Sequence, residues 1–573
     1  MDTNINSVGK VADKFLQKPK GEKKMKTSAK WIKSAIAMLL LVAMLASLTG
    51  CGGDGDGGGQ VSHENGIIAG DDAELSYPLK TDVELDIWTI YSPYHESYTD
   101  ASQSPWHSTL EEKTGVKVNW KYPVPGADQV QAFNLLMTEE VLPDIIGYKV
   151  EPGEAGLLIE EGAILDLTPF LKNYAPDYWA YLNEEGHEDR LRHVSTADGK
   201  VYCIGLFTEN EYNSCAYGPI IRKDWLDECG LDIPVTMADW EEMLIAFRDK
   251  YGAKFGSPYL RFHEVGLASG TGAYASLSAS YYLDGGEIKF SHTQPEYKEY
   301  LTTLNRWAEN SLFDKDTLTM NDEVFRTKMM NNQIGAAYVV NSLFTKVMKD
   351  TEVVQNGAEW IPVPYPVAKE GDVANRIAFT SNNYPAGCMI SADCEEEKLA
   401  TALRWLNYGF DKEGLIYFNY GEEGLHHTVD AEGNYAWTPL ITNDTEGATM
   451  STQRYTSMGA SSVSMPTVQL ANTVRIKNHP VVGEGVNTWL KNQEAAKHLV
   501  PTLALTAEER SRHTDLYMEI VTKVNEKAMR IITGEDSVES FDQMVKEAYS
   551  VGLQEALDIQ NTAYQRYLKN TVG

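Results

Sequence analysis

The chain has 573 residues and carries 50 Lys and Arg against 82 Asp and Glu, a formal net charge of −32. A balance so acidic argues against nucleic acid or an anionic membrane surface as a partner, because no basic stripe exists to neutralise phosphates. At this length one core is not expected to suffice, so at least two lobes are expected.

The N-terminus is the exception to that acidity. Residues 1–33 hold nine lysines and three acids (Asp2, Asp13 and Glu22), and residues 35–48 then run apolar without a charge. A spanning helix needs roughly 20 apolar residues, so this shorter stretch suits the h-region of a signal peptide. It ends in Leu48-Thr49-Gly50-Cys51, which resembles the bacterial lipobox, whose cysteine is lipidated and becomes the first residue of the mature chain. The expectation is a signal peptide over 1–50 and a Gly/Asp-rich tether over 51–79. The protein would then be an exported lipoprotein on the outer face of the cytoplasmic membrane, with palmitate on Cys51. Removing residues 1–50 leaves 523 residues and, with six net positive charges gone, a charge of −38. No later stretch is apolar for long enough to span a membrane.

After the tether, Val83, Leu85 and Ile87 alternate with polar residues and lead into Trp88-Thr89-Ile90, a strand pattern. A helix through Leu110 ends near Gly115, and Val116, Val118 and Trp120 alternate again as a second strand. Gln129 to Glu140 reads as a helix and Leu142 to Gly147 as a third strand. That order is β-α-β-α-β, the repeat of a parallel sheet with its loops at the strand ends. Thr236 with Asp239 looks like an N-cap, followed by Trp240, Met243, Leu244 and Phe247 at i, i+3, i+4, i+7 on one helix face. Leu399, Ala402, Leu403 and Leu406 repeat the spacing. Thr506-x-x-Glu509 opens a helix that Gly534 closes, and Ser537 to Leu568 reads as one or two more.

Beyond Cys51 there are five cysteines, Cys203, Cys215, Cys229, Cys388 and Cys394, an odd number with no pair at metal-ligand spacing. Buried thiols are the favoured reading; Cys203–Cys215 and Cys388–Cys394 are the conceivable disulfides. Motifs for chemistry are missing. His63, His95, His187 and His263 each precede a glutamate, but none has a second histidine at zincin spacing. No G-x-S-x-G elbow, P-loop or calcium loop occurs, and Ser269-Gly270-Thr271-Gly272 reads as a loop. Neither a metal nor a cofactor is expected.

Several blocks, in order, resemble the extracellular solute-binding lipoproteins of bacterial carbohydrate ABC importers. Leu85-Asp86-Ile87-Trp88, then residues 110–118 (LEEKTGVKV), are similar to that family's first strand, helix and second strand. Leu142-Pro143-Asp144-Ile145-Ile146 resembles its third strand, and residues 162–167 (GAILDL) the turn after it. Residues 198–204 (DGKVYCI) stand where the family usually shows DGKxYGIP, with Cys203 in place of the usual glycine. Residues 222–226 (RKDWL), 229–232 (CGLD) and 236–240, and Gln333-Ile334-Gly335-Ala336-Ala337, complete the series. The resemblance covers most of residues 80–430; the C-terminal 140 residues match only as generic helices.

The resemblance implies an α/β, two-lobed periplasmic-binding-protein-like fold with hinge strands between the lobes. The expected limits are 80–213 with 378–430 for lobe 1, and 214–377 with 431–573 for lobe 2. It implies a ligand cleft between the lobes, an oligosaccharide or glycan fragment as ligand, ABC permease subunits in the membrane as partners, a monomer, and no enzyme activity. Aromatics make up 10% of residues, with 31 Tyr and 12 Trp. Sugar C–H faces stack on flat rings, while sugar hydroxyls need groups such as Asn, Glu and His. The candidate ligand residues are Trp88, Tyr91, Tyr94, Tyr148, Glu151, Asn213, Tyr217, Tyr338, Asn341, Trp360, Asn383, Tyr384 and His426. Two other readings keep or change the fold's role: a binder of peptide or another polar solute, or one feeding a sensor, and a surface carbohydrate-active enzyme.

Overall fold

The computed structural model describes residues 75–90, 105–124, 127–209, 217–258, 266–274, 280–318, 320–354, 357–375, 383–443, 466–470, 472–473, 480–491 and 494–569. Cys51 and the signal and tether segments lie outside them. Among the described residues, no helix is long and apolar enough to cross a membrane.

The first strands and helices follow the expected order. β1 (Glu84–Thr89) leads to α1 (Pro105–Thr114), β2 (Lys117–Lys121), α2 (Gln129–Leu136) and β3 (Ile145–Tyr148). β1 pairs in parallel with both β2 and β3. Leu85 and Ile87 turn into the core, while Glu84 and Asp86 hold Lys117 (2.6 Å) and Lys121 (2.8 Å) of β2. Lysines on this outermost strand also discourage pairing with a further chain. α2 stops at Leu136, four residues short of the expected Glu140. The Thr138 hydroxyl takes up the Leu135 carbonyl at 2.7 Å, satisfying an acceptor that another helical turn would have used. Asp144 anchors the region: its carboxylate accepts the Asp86 N–H at 2.8 Å and meets Lys398 at 3.2 Å.

The remaining elements of this first sheet come from far along the chain. After α3 (Pro152–Glu160) and α4 (Glu188–His193) come β4 (Ile204–Thr208), and later β11 (Asn383–Ile390) and β14 (Thr467–Gln469). The strand order is β14-β4-β11-β3-β1-β2. β11 is antiparallel to β3 and β4, and β14 is parallel to β4. β14 thus brings residues of the stretch 431–573, assigned by sequence to the second lobe, into the first sheet.

The second sheet is β10-β5-β9-β6, from β5 (Tyr217–Arg222), β6 (Lys254–Gly256), β9 (Ile334–Val340) and β10 (Trp360–Pro362). Helix α5 (Met237–Tyr251) packs beside it behind a capping box, in which the Thr236 hydroxyl takes the Asp239 N–H and the Asp239 carboxylate takes the Thr236 N–H. Trp240, Met243, Leu244 and Phe247 are all buried, as their spacing predicts. A hairpin of β7 (Tyr281–Asp284) and β8 (Glu287–Phe290) and helix α6 (Pro295–Glu309) follow, and α7 (Asn341–Val354) continues from β9 without a loop. Helix α8 (Glu396–Asn407) returns to the first lobe. The short pair β12 (His427–Val429) and β13 (Tyr435–Trp437) has a small core of its own with Tyr420 and Ile441.

Four helices close the chain: α9 (Pro480–Trp489), α10 (Ala507–Thr533), α11 (Phe541–Ser550) and α12 (Leu553–Lys569). A second capping box, Thr506 with Glu509, starts α10, and Gly534 in left-handed geometry ends it. Val486, Trp489, Ile520, Ile531, Met544 and Tyr564 of these helices join the core under the second sheet. A separate core lies around the first sheet. Two cores under two sheets make two lobes, and successive described segments change lobe three times: between β4 and β5, between β10 and β11, and after β14. Cys203, Cys229 and Cys394 carry free thiols, so neither conceivable disulfide forms; burial pushes the Cys394 thiol up to about 12.

Candidate functional site

Ligands of open α/β sheets collect where parallel strands end. The C-terminal ends of β1, β3, β4 and β14 and the start of β11 share one edge of the first sheet. β3 is buried until its last residue, Tyr148, which is half-buried. The Tyr148 ring stacks on Phe133 of α2 at 4.3 Å and 15°, and Trp88 meets it edge-on at 6.1 Å. Burial raises its hydroxyl pKa. Trp88, expected to face ligand, lies in the core, where it supports Tyr148 from below. Glu151 is the N-cap residue of α3, at the same edge, with Lys149 3.7 Å away.

The second sheet opens at the matching place. β9 is buried along its length except at Val340, and its partner across the ladder, Tyr217, is the only residue of β5 that is not buried. The Tyr217 and Tyr338 rings lie parallel, 6.3 Å apart at 13°. Tyr365 donates its hydroxyl to the Tyr217 carbonyl, and Ser257 donates to the Tyr338 carbonyl at 2.8 Å. Burial, with smaller contributions from Tyr338 and Asp322, pushes the Tyr217 phenol up to about 12, so it stays a neutral hydroxyl. Asn341 opens α7 beside them; it is 8% exposed, and its Oδ1 is buried without a hydrogen-bond partner. Trp489 covers the next residue of β5. A Cβ on Gly218 would stand 2.1 Å from the indole, and the indole N–H donates to the Pro219 carbonyl at 3.0 Å.

Two further expectations move. Trp360 is buried at the other end of the second sheet, paired with Arg222, whose guanidinium lies 5.7 Å over its ring. Arg222 itself is held by Asp224 and Asn332. His426 and His427 are buried rather than set on an open polar loop. His426 Nδ1 accepts the Glu422 N–H at 2.9 Å, and burial lowers the pKa of both imidazoles. Asn383 and Tyr384 lie opposite Phe207 and Leu206 where β11 enters the first sheet. Tyr91, Tyr94 and Asn213 lie outside the described residues.

Two aromatic side chains at these edges were passed over. Tyr365 lies in a Pro-rich stretch that reads as a connection. Tyr122 follows β2, lies parallel to Trp120 at 6.3 Å and 12°, and shares a hydrogen bond with His107 Nε2 at 3.0 Å. The alternation Val118, Trp120, Tyr122 was the available signal for the second. Among the described residues, no group of three His, Cys, Asp or Glu side chains could hold a metal ion. Both edges offer flat rings with polar groups beside them, the chemistry of reversible capture.

Comparison with known proteins bears on the fold and the family. The chain is 25% identical over 358 residues to the lipoprotein LipO of Bacillus subtilis, covering 60% of this chain and 68% of that one. It is 24% identical over 329 residues to the fructooligosaccharide ABC transporter substrate-binding protein FusA of Streptococcus pneumoniae, covering 53% of this chain and 57% of the relative. An HMO-binding, ABC-transporter-associated solute-binding protein from Bifidobacterium longum infantis superposes with a TM-score of 0.67 at 18% identity, over 84% of this chain and 99% of its own. An alginate-binding protein crystallised without calcium ion gives 0.66 at 20%, over 86% and 100%. These superpositions identify the fold as that of two-lobed solute-binding proteins. Residues 95–415, more than half of the chain, match the bacterial extracellular solute-binding protein family, and the chain belongs to that family.

Proposed function

We propose that this protein is a lipid-anchored extracellular receptor that captures an oligosaccharide between its lobes and delivers it to an ABC importer. The observation that carries the reading is a half-buried tyrosine at each edge: Tyr148 on the buried Phe133 in the first lobe, and Tyr217 on the buried Tyr338 in the second. Flat rings suit the apolar faces of sugars, while Asn341 and Glu151 suit their hydroxyls. Hinge closure around ligand is the motion of such proteins, and the permease would recognise the closed form. The fructooligosaccharide and HMO relatives support a glycan ligand. In this reading residues 1–50 are removed, Cys51 carries the lipid at the outer face of the cytoplasmic membrane, 51–79 is the tether, and the protein acts as a monomer without turnover. The first lobe is 80–213 with 378–430 and β14, and the second is 214–377 with the C-terminal helices.

A thermal-shift screen against neutral and acidic oligosaccharides tests it, because ligand bound only by the folded form raises the melting temperature by mass action. A shift with one glycan class, and that glycan recovered intact, is the expected result. Shifts with peptides alone would retain the fold and remove the carbohydrate assignment; breakdown of the glycan would make the protein an enzyme.

A further inference from the structure

The C-terminal helices belong to the second core, yet they also reach back to the first lobe. Gly153, in the first turn of α3, lies so close to Leu505 that a Cβ there would stand 2.1 Å from the Leu505 carbonyl oxygen. Its neighbour Glu154 pairs with Arg510 of α10 at 3.1 Å. Beside α4, the Tyr567 hydroxyl of α12 donates to the Asp189 carboxylate at 2.5 Å. Arg192, paired with the same carboxylate at 2.8 Å, lies 5.2 Å over the Tyr567 ring. A small recess of about 30 Å³ lies along this seam, lined from both lobes by residues that include Thr196, Arg192, Thr502 and Arg566. All the C-terminal partners fall outside the stretch that matches the family.

Gly153 explains why the seam is specific. Alanine is the better helix former, and no left-handed backbone requires a glycine at this position. The close approach of Leu505 does. The seam is also well placed to report lobe position, because α3 starts at the cleft edge, one residue after Glu151.

We propose that this seam is a clasp: the C-terminal helices hold the first lobe in the closed arrangement and so set the affinity of the cleft from outside it. The proposal rests on the cleft reading above. Opening the lobes would part Gly153 from Leu505 and Glu154 from Arg510. A contact made only in the closed form raises the closed population, and the apparent ligand affinity follows that fraction. Partly exposed ion pairs and cation–π contacts are individually modest, so loss of the clasp is worth roughly threefold to tenfold in that population.

Gly153→Ala tests it, with Gly156→Ala as its partner. Both replace a glycine of α3 with a better helix former. A Cβ at 153 strikes Leu505, whereas one at 156 meets only Thr196 at an ordinary 3.8 Å. In the full chain without ligand, Gly153→Ala is expected to speed amide exchange, roughly threefold to tenfold, in the first turn of α3 and over 502–510. It should also enlarge the particle in small-angle scattering, and Gly156→Ala should do neither. Glu154→Arg and Arg510→Glu should each act like Gly153→Ala, and the double reversal should restore the wild-type result. Identical exchange in all the variants would overturn the clasp. With a glycan that shifts the wild type, Gly153→Ala should weaken binding; tighter binding would mean the seam holds the open form and would also overturn it. If no glycan binds, the carbohydrate reading falls while the exchange data still decide the clasp.

Discussion

The two lobes support their cleft edges differently. In the first, Tyr148 rests on Phe133 and Trp88, side chains of the same β-α-β-α-β run. In the second, the strand that carries Tyr217 is covered by Trp489, whose indole N–H bonds Pro219 from 270 residues further along the chain. Contacts of such sequence separation form late, after the loop entropy between them has been overcome. The second edge is therefore complete only when the C-terminal helices have docked, whereas the first is assembled from its own neighbourhood.

The largest expected effect follows from that dependence. Trp489→Ala deletes a fully buried indole, a change that costs roughly 3–5 kcal/mol. Urea unfolding followed by hydrogen exchange should split into two steps, the second lobe losing protection before the first. Unfolding in one step, both lobes together, would erase the distinction between a locally and a remotely supported edge.

The same difference governs what could be read in the sequence. Alternation gave β1 and β2, and the two capping boxes and the i, i+3, i+4, i+7 stripe of α5 were legible because each is decided within a turn or two of chain. Tyr148, Tyr217 and Asn341 are candidates from the family resemblance, and they stand at the ends of β3 and β5 and directly after β9. Trp88 and Trp360 were misplaced because an aromatic in or after a strand carries no mark of which way it faces until the helices above the sheet are known. β14 is not read from the sequence at all: three residues, Thr467–Gln469, pair with β4 across more than 250 residues, and register at that range leaves no local pattern. His426 read as a polar loop residue, since its burial depends on the β12–β13 pair folding over Tyr420.

A second contrast lies inside the second core. His292 is wholly buried between Phe290 and Tyr297, and burial lowers its pKa from 6.5 to about 4. The folded protein holds this imidazole neutral, while the unfolded chain protonates it below about pH 6.5. Its contribution is therefore whole above pH 6.5 and is lost as pH falls from there to about 4, by up to about 3 kcal/mol. His292→Gln should flatten the fall in second-lobe stability between pH 7 and pH 4.5, measured as the urea midpoint. A fall of equal steepness in the variant would move the acid sensitivity to other groups.

The smallest effect bears on whether the two edges act on one ligand. Tyr148→Ala and Tyr217→Ala each remove one ring face, worth about 0.5–1.5 kcal/mol of binding, roughly twofold to tenfold in Kd. Calorimetry with the glycan found by thermal shift reads each loss. If the lobes close on the ligand from opposite sides, the second ring can engage only when the first has it in place, so the two losses should couple. The double variant should then lose less than the product of the single losses, since removing either ring already frees the ligand from the other lobe. Strictly multiplicative losses would describe two independent surfaces. Loss on Tyr148→Ala with none on Tyr217→Ala would leave the ligand on the first lobe alone, and the remotely supported edge would then serve closure rather than contact.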